Sequence, residues 1–208
     1  MTQSNKDLST MEMPVMCECG VWFDLNDGYG KEDENVTVCE SCHNKEVDAR
    51  EFWEECETEF LDGNFRMLSW NQPFASLMLH GKIETRRKST NVRGKVLICA
   101  CKKFYSFDQV KNLSCDYQIG DLLNLFSVIS YSSLQNKLPI GVAIAVGDLI
   151  NCRPHTLQDM PKSFVNHDAN LFSWVFENVK QIDPFEIKGK QGWGFVTEDI
   201  LNKIRLKQ

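Results

Sequence analysis

The chain has 208 residues, 42% hydrophobic and 25% charged, with nine cysteines and a formal net charge of −6. That length and apolar content allow one good core plus a small appendage, and exclude a chain too polar to fold. The most apolar run, Leu138 to Ile150, is too short for a bilayer and is interrupted by Gly141 and Gly147, so no membrane contact is expected. The first ten residues are polar and lack the apolar centre of a signal peptide. The expected location is the cytoplasm, where clustered cysteines point to metal rather than to disulfides.

The net charge conceals a division. Residues 1–62 hold 17 acids against 4 bases, whereas residues 63–208 hold 12 acids against 19 bases. A boundary is therefore expected at Asp62-Gly63. It separates a disordered stretch (1–13) and a metal element with an acidic helix (14–62) from the main domain (63–208).

Within the first part, Cys17, Cys19, Cys39 and Cys42 form the pattern C-x-C-G…C-x-x-C-H with 19 residues between the pairs. Two short-spaced pairs supply the four soft ligands of a tetrahedral structural zinc ion. His43 stands next to the second pair and is the alternative ligand. The intervening segment reads as one β-hairpin, with Val21 to Phe23 as the outgoing arm, a turn at Asn26-Asp27-Gly28 and Val36 to Val38 returning. So small a fragment needs the metal to fold. A helix is expected from Asn44 to Leu61, where apolar positions fall near helical spacing, and Cys56 lies on its core side. This acidic region is also the expected docking face for a protein partner.

From Phe65 the pattern is mainly β. Strands are expected at Val96–Ala100, Leu122–Ile129, Ile140–Leu149 and Gly192–Val196, with a short helix over Pro73–His80. Several short strands with few helices imply an α+β domain built on a small barrel with flanking helices. Cys99 and Cys101 alternate on one strand and are expected to be core residues. Asp148 ends a strand, and His155 lies in a loop without an evident partner.

Three segments carry a resemblance. Leu68-Ser69-Trp70 is followed by Gln72-Pro73-Phe74-Ala75, then by a turn with Gly81, Lys82, Glu84 and Arg86, and Arg93-Gly94 leads into the strand Lys95 to Ala100. Gly141 to Cys152 and Phe172 to Phe195 follow in order. Together they resemble the ASCH family, a PUA-like β-barrel associated with nucleic acids. The resemblance implies an RNA, DNA or modified-nucleotide ligand in the barrel cleft. It places Trp70, Gln72, Lys82, Glu84, Arg86, Arg93, Lys102, Trp174 and Lys190 as candidate nucleic-acid contacts. Arginines suit phosphate, tryptophans suit base stacking and lysines suit the backbone path. Some members of the superfamily are amidohydrolases of acetylated cytidine and one is a ribonuclease, which would make Lys82 and Glu84 catalytic. The loop Gly81–Arg86 is two residues shorter than the family's G-x-K-x-x-E-x-R, and no glutamate stands in Gly141–Leu149. Binding is therefore favoured over catalysis.

Overall fold

The computed structural model describes residues 11–30 and 36–207, so most of the stretch expected to be disordered lies outside the described residues. Two small ribbons come first. Strand β1 (Pro14–Met16) pairs antiparallel with β2 (Trp22–Asp24), and β3 (Tyr29–Gly30) with β4 (Thr37–Val38). The single hairpin expected between the cysteine pairs is thus two separate ribbons. The cause is local: the Asp24 carboxylate accepts from the N–H groups of Glu12 and Asn26, which ties β2 to the upstream segment and caps the 3-10 turn Leu25–Asp27.

Helix α1 (Glu40–Leu61) starts earlier than expected, because the Cys39 carbonyl already accepts from the N–H of Cys42 and His43. The chain forms two compact units, one ending at Glu54 and the other spanning Glu55–Lys207, so the junction falls inside α1. Cys56 belongs to the second unit, and its burial pushes the thiol up to about 12.

The second unit runs β5 (Arg66–Gln72), α2 (Phe74–Leu77), β6 (Glu84–Arg86), β7 (Gly94–Phe104), α3 (Phe107–Leu113), α4 (Asp116–Leu125), α5 (Tyr131–Lys137), β8 (Val142–Pro154), α6 (Met160–Ser163), β9 (Phe172–Glu186), β10 (Gly194–Phe195) and α7 (Glu198–Leu201). Its six strands form one sheet in the order β10-β5-β7-β8-β9-β6, with β5 and β7 parallel and every other pair antiparallel. The class is α+β, as expected, although among the described residues no ladder joins β6 to β10 to close a barrel.

Strand periodicity builds the main core. Leu68 and Trp70 on β5, with Val96, Ile98 and Ala100 on β7, meet Ile144, Ala145, Leu149, Trp174 and Phe176. A second cluster, around Phe74, Leu77, Val110, Leu122 and Leu134, gathers the helices. Here one expectation is corrected: Leu122–Ile129 is not a strand, and its first part ends α4. Ile119, Leu122 and Phe126 share one face at helical spacing, and the Gln118 side chain accepts from Cys115 N–H to close the first turn.

Candidate functional site

Two constellations carry chemistry. In the first unit the sulfurs of Cys17, Cys19, Cys39 and Cys42 all lie within 4.8 Å of one another, and are the only such group among the described residues. The Cys17–Cys42 and Cys19–Cys39 separations are each 3.6 Å, far beyond a disulfide bond. Metal–sulfur bonds of about 2.3 Å in a tetrahedron require sulfurs about 3.8 Å apart, so the four cysteines fit a metal ion. Gly20, at φ 85°, makes the tight turn after the first pair, while the second pair sits at the start of α1, where burial pushes the Cys39 thiol up and the Cys42 thiol up to about 12. Backbone N–H groups of Cys39 and Cys19 lower the Cys17 thiol to about 6. His43 stands outside the group, with its ring stacked on Tyr29.

In the second unit a cleft of about 460 Å³ opens beside β5 and β6. Gly81, at φ 75°, ends the turn after α2 and directs Lys82 inward. The Lys82 side chain is 1% exposed, and its Nζ donates to Glu84 Oε2 at 2.9 Å and to the Ile83 carbonyl at 3.0 Å. The other Glu84 oxygen lies 2.7 Å from Arg86 Nε. The Arg86 guanidinium sits 5.8 Å from the Trp70 ring centre and 5.9 Å from that of Trp174, between two aromatic faces. Burial holds the Lys82 amine below the usual lysine range, against the pull of Glu84. Burial would raise Glu84, but Lys82 and Arg86 outweigh it and hold the carboxyl low.

Three buried polar atoms in the described residues make no hydrogen bond: Ser69 Oγ, Trp70 Nε1 and Arg86 Nε. All three belong to residues that line this cleft. Arg86 Nε is close enough to Glu84 for an ion pair but is not aligned for a hydrogen bond. The Trp70 indole helps to lower Glu84, while burial raises the Cys101 thiol against the opposing Ser69 hydroxyl; neither contact meets hydrogen-bond geometry.

Of the residues singled out from the sequence, Trp70, Lys82, Glu84 and Arg86 line the cleft. Lys102 and Lys190 line an adjoining groove of about 1180 Å³, which shares Ser69 and Arg86 with the cleft and adds Lys103 and Lys188. The others lie elsewhere. Gln72 is fully buried and ties Ser76 to the Pro139 carbonyl, so its amide is occupied. Trp174 is buried, stacked on Trp193 at 5.4 Å, and donates to the Lys88 carbonyl, which leaves little face for a base. Arg93 turns back onto the carbonyls of Thr90 and Val92. Trp70 is itself 3% exposed, and its buried indole N–H acts on Glu84, so it too offers little face for a base.

Cys99 is a core residue, and burial pushes its thiol up to about 12. Asp148 is paired with Lys95 at 3.2 Å. His155, expected in a loop without a partner, is buried and bonded on both ring nitrogens; its contact residue His167 lines the cleft. Their partners are brought in by the turn around α6, which no local pattern announces.

Below them Asp159 accepts from Arg153 through two 2.6 Å contacts, and from Thr156 and Ser173. The Arg153 guanidinium, followed by the hydroxyl and backbone donors, holds the Asp159 carboxyl well below the usual range. A depressed carboxyl stabilises the fold above its unfolded pKa and loses that contribution as the pH falls through its folded value. Asp159→Asn is therefore expected to cost about 2–4 kcal/mol at neutral pH. It should also flatten the loss of stability of the wild type below about pH 4, as read by urea titration at each pH.

No family model matches the chain, and no curated protein matches it. Among solved structures, the crystal structure of ASCH from Zymomonas mobilis resembles it at 11% identity and a TM-score of 0.42, covering 67% of this chain and 92% of that chain. At that score nothing about the site is carried over. Among the described residues no helix is long and apolar enough to cross a membrane.

Proposed function

We propose that the Lys82–Glu84–Arg86 cleft binds one nucleotide of a single-stranded RNA, as the ligand site of an ASCH-type, PUA-like domain spanning residues 63–208. The cysteine group holds a structural zinc ion, and the protein works in the cytoplasm. The family reading rests on the order and spacing of the motifs around Trp70, Gly81–Arg86 and Lys188–Trp193. The observation that carries the ligand reading is the convergence of an ammonium, a carboxylate and a half-exposed guanidinium, from Lys82, Glu84 and Arg86, on the lining of one cleft. The Arg86 guanidinium keeps donors beyond its contact with Glu84, and the phosphate or base oxygens of a nucleotide suit them. Lys102, Lys103, Lys188 and Lys190 beside it suit the phosphate path away from the bound nucleotide.

Fluorescence anisotropy with a labelled single-stranded RNA at low salt tests this. Lys102→Ala with Lys190→Ala should lower the slope of log K against log salt by about 1.4, and Arg86→Ala should weaken binding by about tenfold or more. Absence of binding to single- and double-stranded RNA and DNA sinks the reading.

The lowered Lys82 amine beside a carboxylate also favours a hydrolytic reading, in which Lys82 and Glu84 act on an acylated nucleoside. Turnover of acetylcytidine that disappears in Lys82→Ala would establish it. In the first unit, Met16 and Trp22 stand opposite each other across β1 and β2 and are both exposed, which suits contact with a protein partner.

A further inference from the structure

The wall of the cleft formed by the loop between α6 and β9 carries polar groups that the reading above leaves unused. His155 follows the last residue of β8 and is 4% exposed. Its Nε2 lies 3.3 Å from Ser163 Oγ, and its Nδ1 lies 3.3 Å from Nδ1 of His167. His167 is exposed and lines the cleft together with Asp168 and Arg87.

Hydrogen-bond logic orders this chain. Ser163 Oγ accepts from the Val165 N–H and stands 3.2 and 3.3 Å from the carbonyls of Val165 and Met160. The Met160 carbonyl already accepts from Phe164 N–H and the Gln118 amide, so the single serine hydrogen goes to the Val165 carbonyl and Oγ turns a lone pair to His155 Nε2. His155 therefore carries its hydrogen on Nε2. Desolvation holds this ring neutral, with Asp159 opposing and His167, Arg153 and Lys82 assisting. Its Nδ1 is then a lone pair, and the hydrogen between the two rings belongs to His167 Nδ1. A neutral imidazole has one N–H, so Nε2 of His167 is left as an acceptor.

We propose that His167 is a specificity residue of the cleft, its Nε2 accepting a hydrogen bond from the exocyclic amino group of adenine or cytosine, with His155 and Ser163 as positioning residues that fix its tautomer. This rests on the nucleotide reading of the cleft. The half-exposed Arg86 guanidinium lines the same cleft and is a donor, suited to the ring-nitrogen and carbonyl acceptors beside such an amino group. Uracil and guanine present a carbonyl where the amino group would be, and two acceptors then face each other.

Two measurements on the full chain test it. Nitrogen-15 spectra of the histidine rings should show the neutral His167 ring carrying its hydrogen on Nδ1, and Ser163→Ala should replace that single tautomer by a mixture. A His167 carrying its hydrogen on Nε2 overturns the assignment. Oligoadenylate and oligocytidylate should bind about three- to tenfold more tightly than oligouridylate, and the difference should vanish in His167→Ala. Binding without that preference, or a preference that survives His167→Ala, overturns the role of His167 and leaves the nucleotide cleft standing. No binding by any of the three oligonucleotides overturns both.

Discussion

Glu84→Ala is expected to destabilise the Glu55–Lys207 unit by about 3–5 kcal/mol in chemical denaturation, the largest effect of any single change in the cleft. The Glu84 side chain is 7% exposed and is, among the described residues, the only carboxylate paired with Lys82, whose side chain is 1% exposed. Removing it strands a buried ammonium that keeps one bond, to the Ile83 carbonyl. Arg86 also loses its partner, but its side chain is 36% exposed and can turn to water. Replacing both charges, as Lys82→Met with Glu84→Leu, should recover most of that loss, because two apolar side chains of similar volume fill the space without desolvating a charge. The double variant should nonetheless fail to bind RNA. A fold restored without function would show that the pair is kept for its ligand. If Glu84→Ala changes stability by less than about 1 kcal/mol, the pair is not the buried ion pair described here.

The second large effect concerns the metal. Among the described residues, the buried cluster of the first unit consists of Cys17, Phe23, Val38 and Cys39, with the half-buried Val15, Val21 and Cys42 against it. Burying each large apolar side chain yields about 1.5–3 kcal/mol, whereas ordering each residue costs about 1.5 kcal/mol. A bound zinc ion contributes about 10–16 kcal/mol in small domains of this kind and reverses that balance. A strong chelator, or Cys39→Ser, should therefore unfold the segment through Val38 and expose it to protease, while the transition of the Glu55–Lys207 unit persists. Purified protein should carry about one zinc per chain by elemental analysis. Metal-free protein with unchanged protease resistance would remove the metal from the account.

The parts legible in the sequence are those whose cause is local. Metal-binding cysteines must be closely spaced in pairs, so Cys17, Cys19, Cys39 and Cys42 announced themselves, and their sulfurs meet. The ribbon pairing around them was not legible, because one carboxylate, Asp24, decides which way β2 turns. The segment Leu122-Leu123-Asn124-Leu125-Phe126 is apolar enough for strand or helix, and only its packing against Leu77 and Leu134 selects the helix. In the cleft, Lys82, Glu84 and Arg86 are close in the chain and could be read as a set. Gln72 and Trp174 looked like ligand contacts, but their polar atoms are occupied within the fold. His155 and His167 are twelve positions apart and meet only because the turn around α6 folds the chain back on itself.

The central claim is that the Lys82–Glu84–Arg86 cleft holds a nucleotide, and photo-cross-linking followed by peptide mass spectrometry tests it most directly. A single-stranded RNA cross-linked to the full chain should leave nucleotide adducts on the peptides that carry Lys82–Arg87 and His167, and these should be lost in Lys82→Met with Glu84→Leu. Adducts confined to other peptides, or adducts that persist in that double variant, would contradict it.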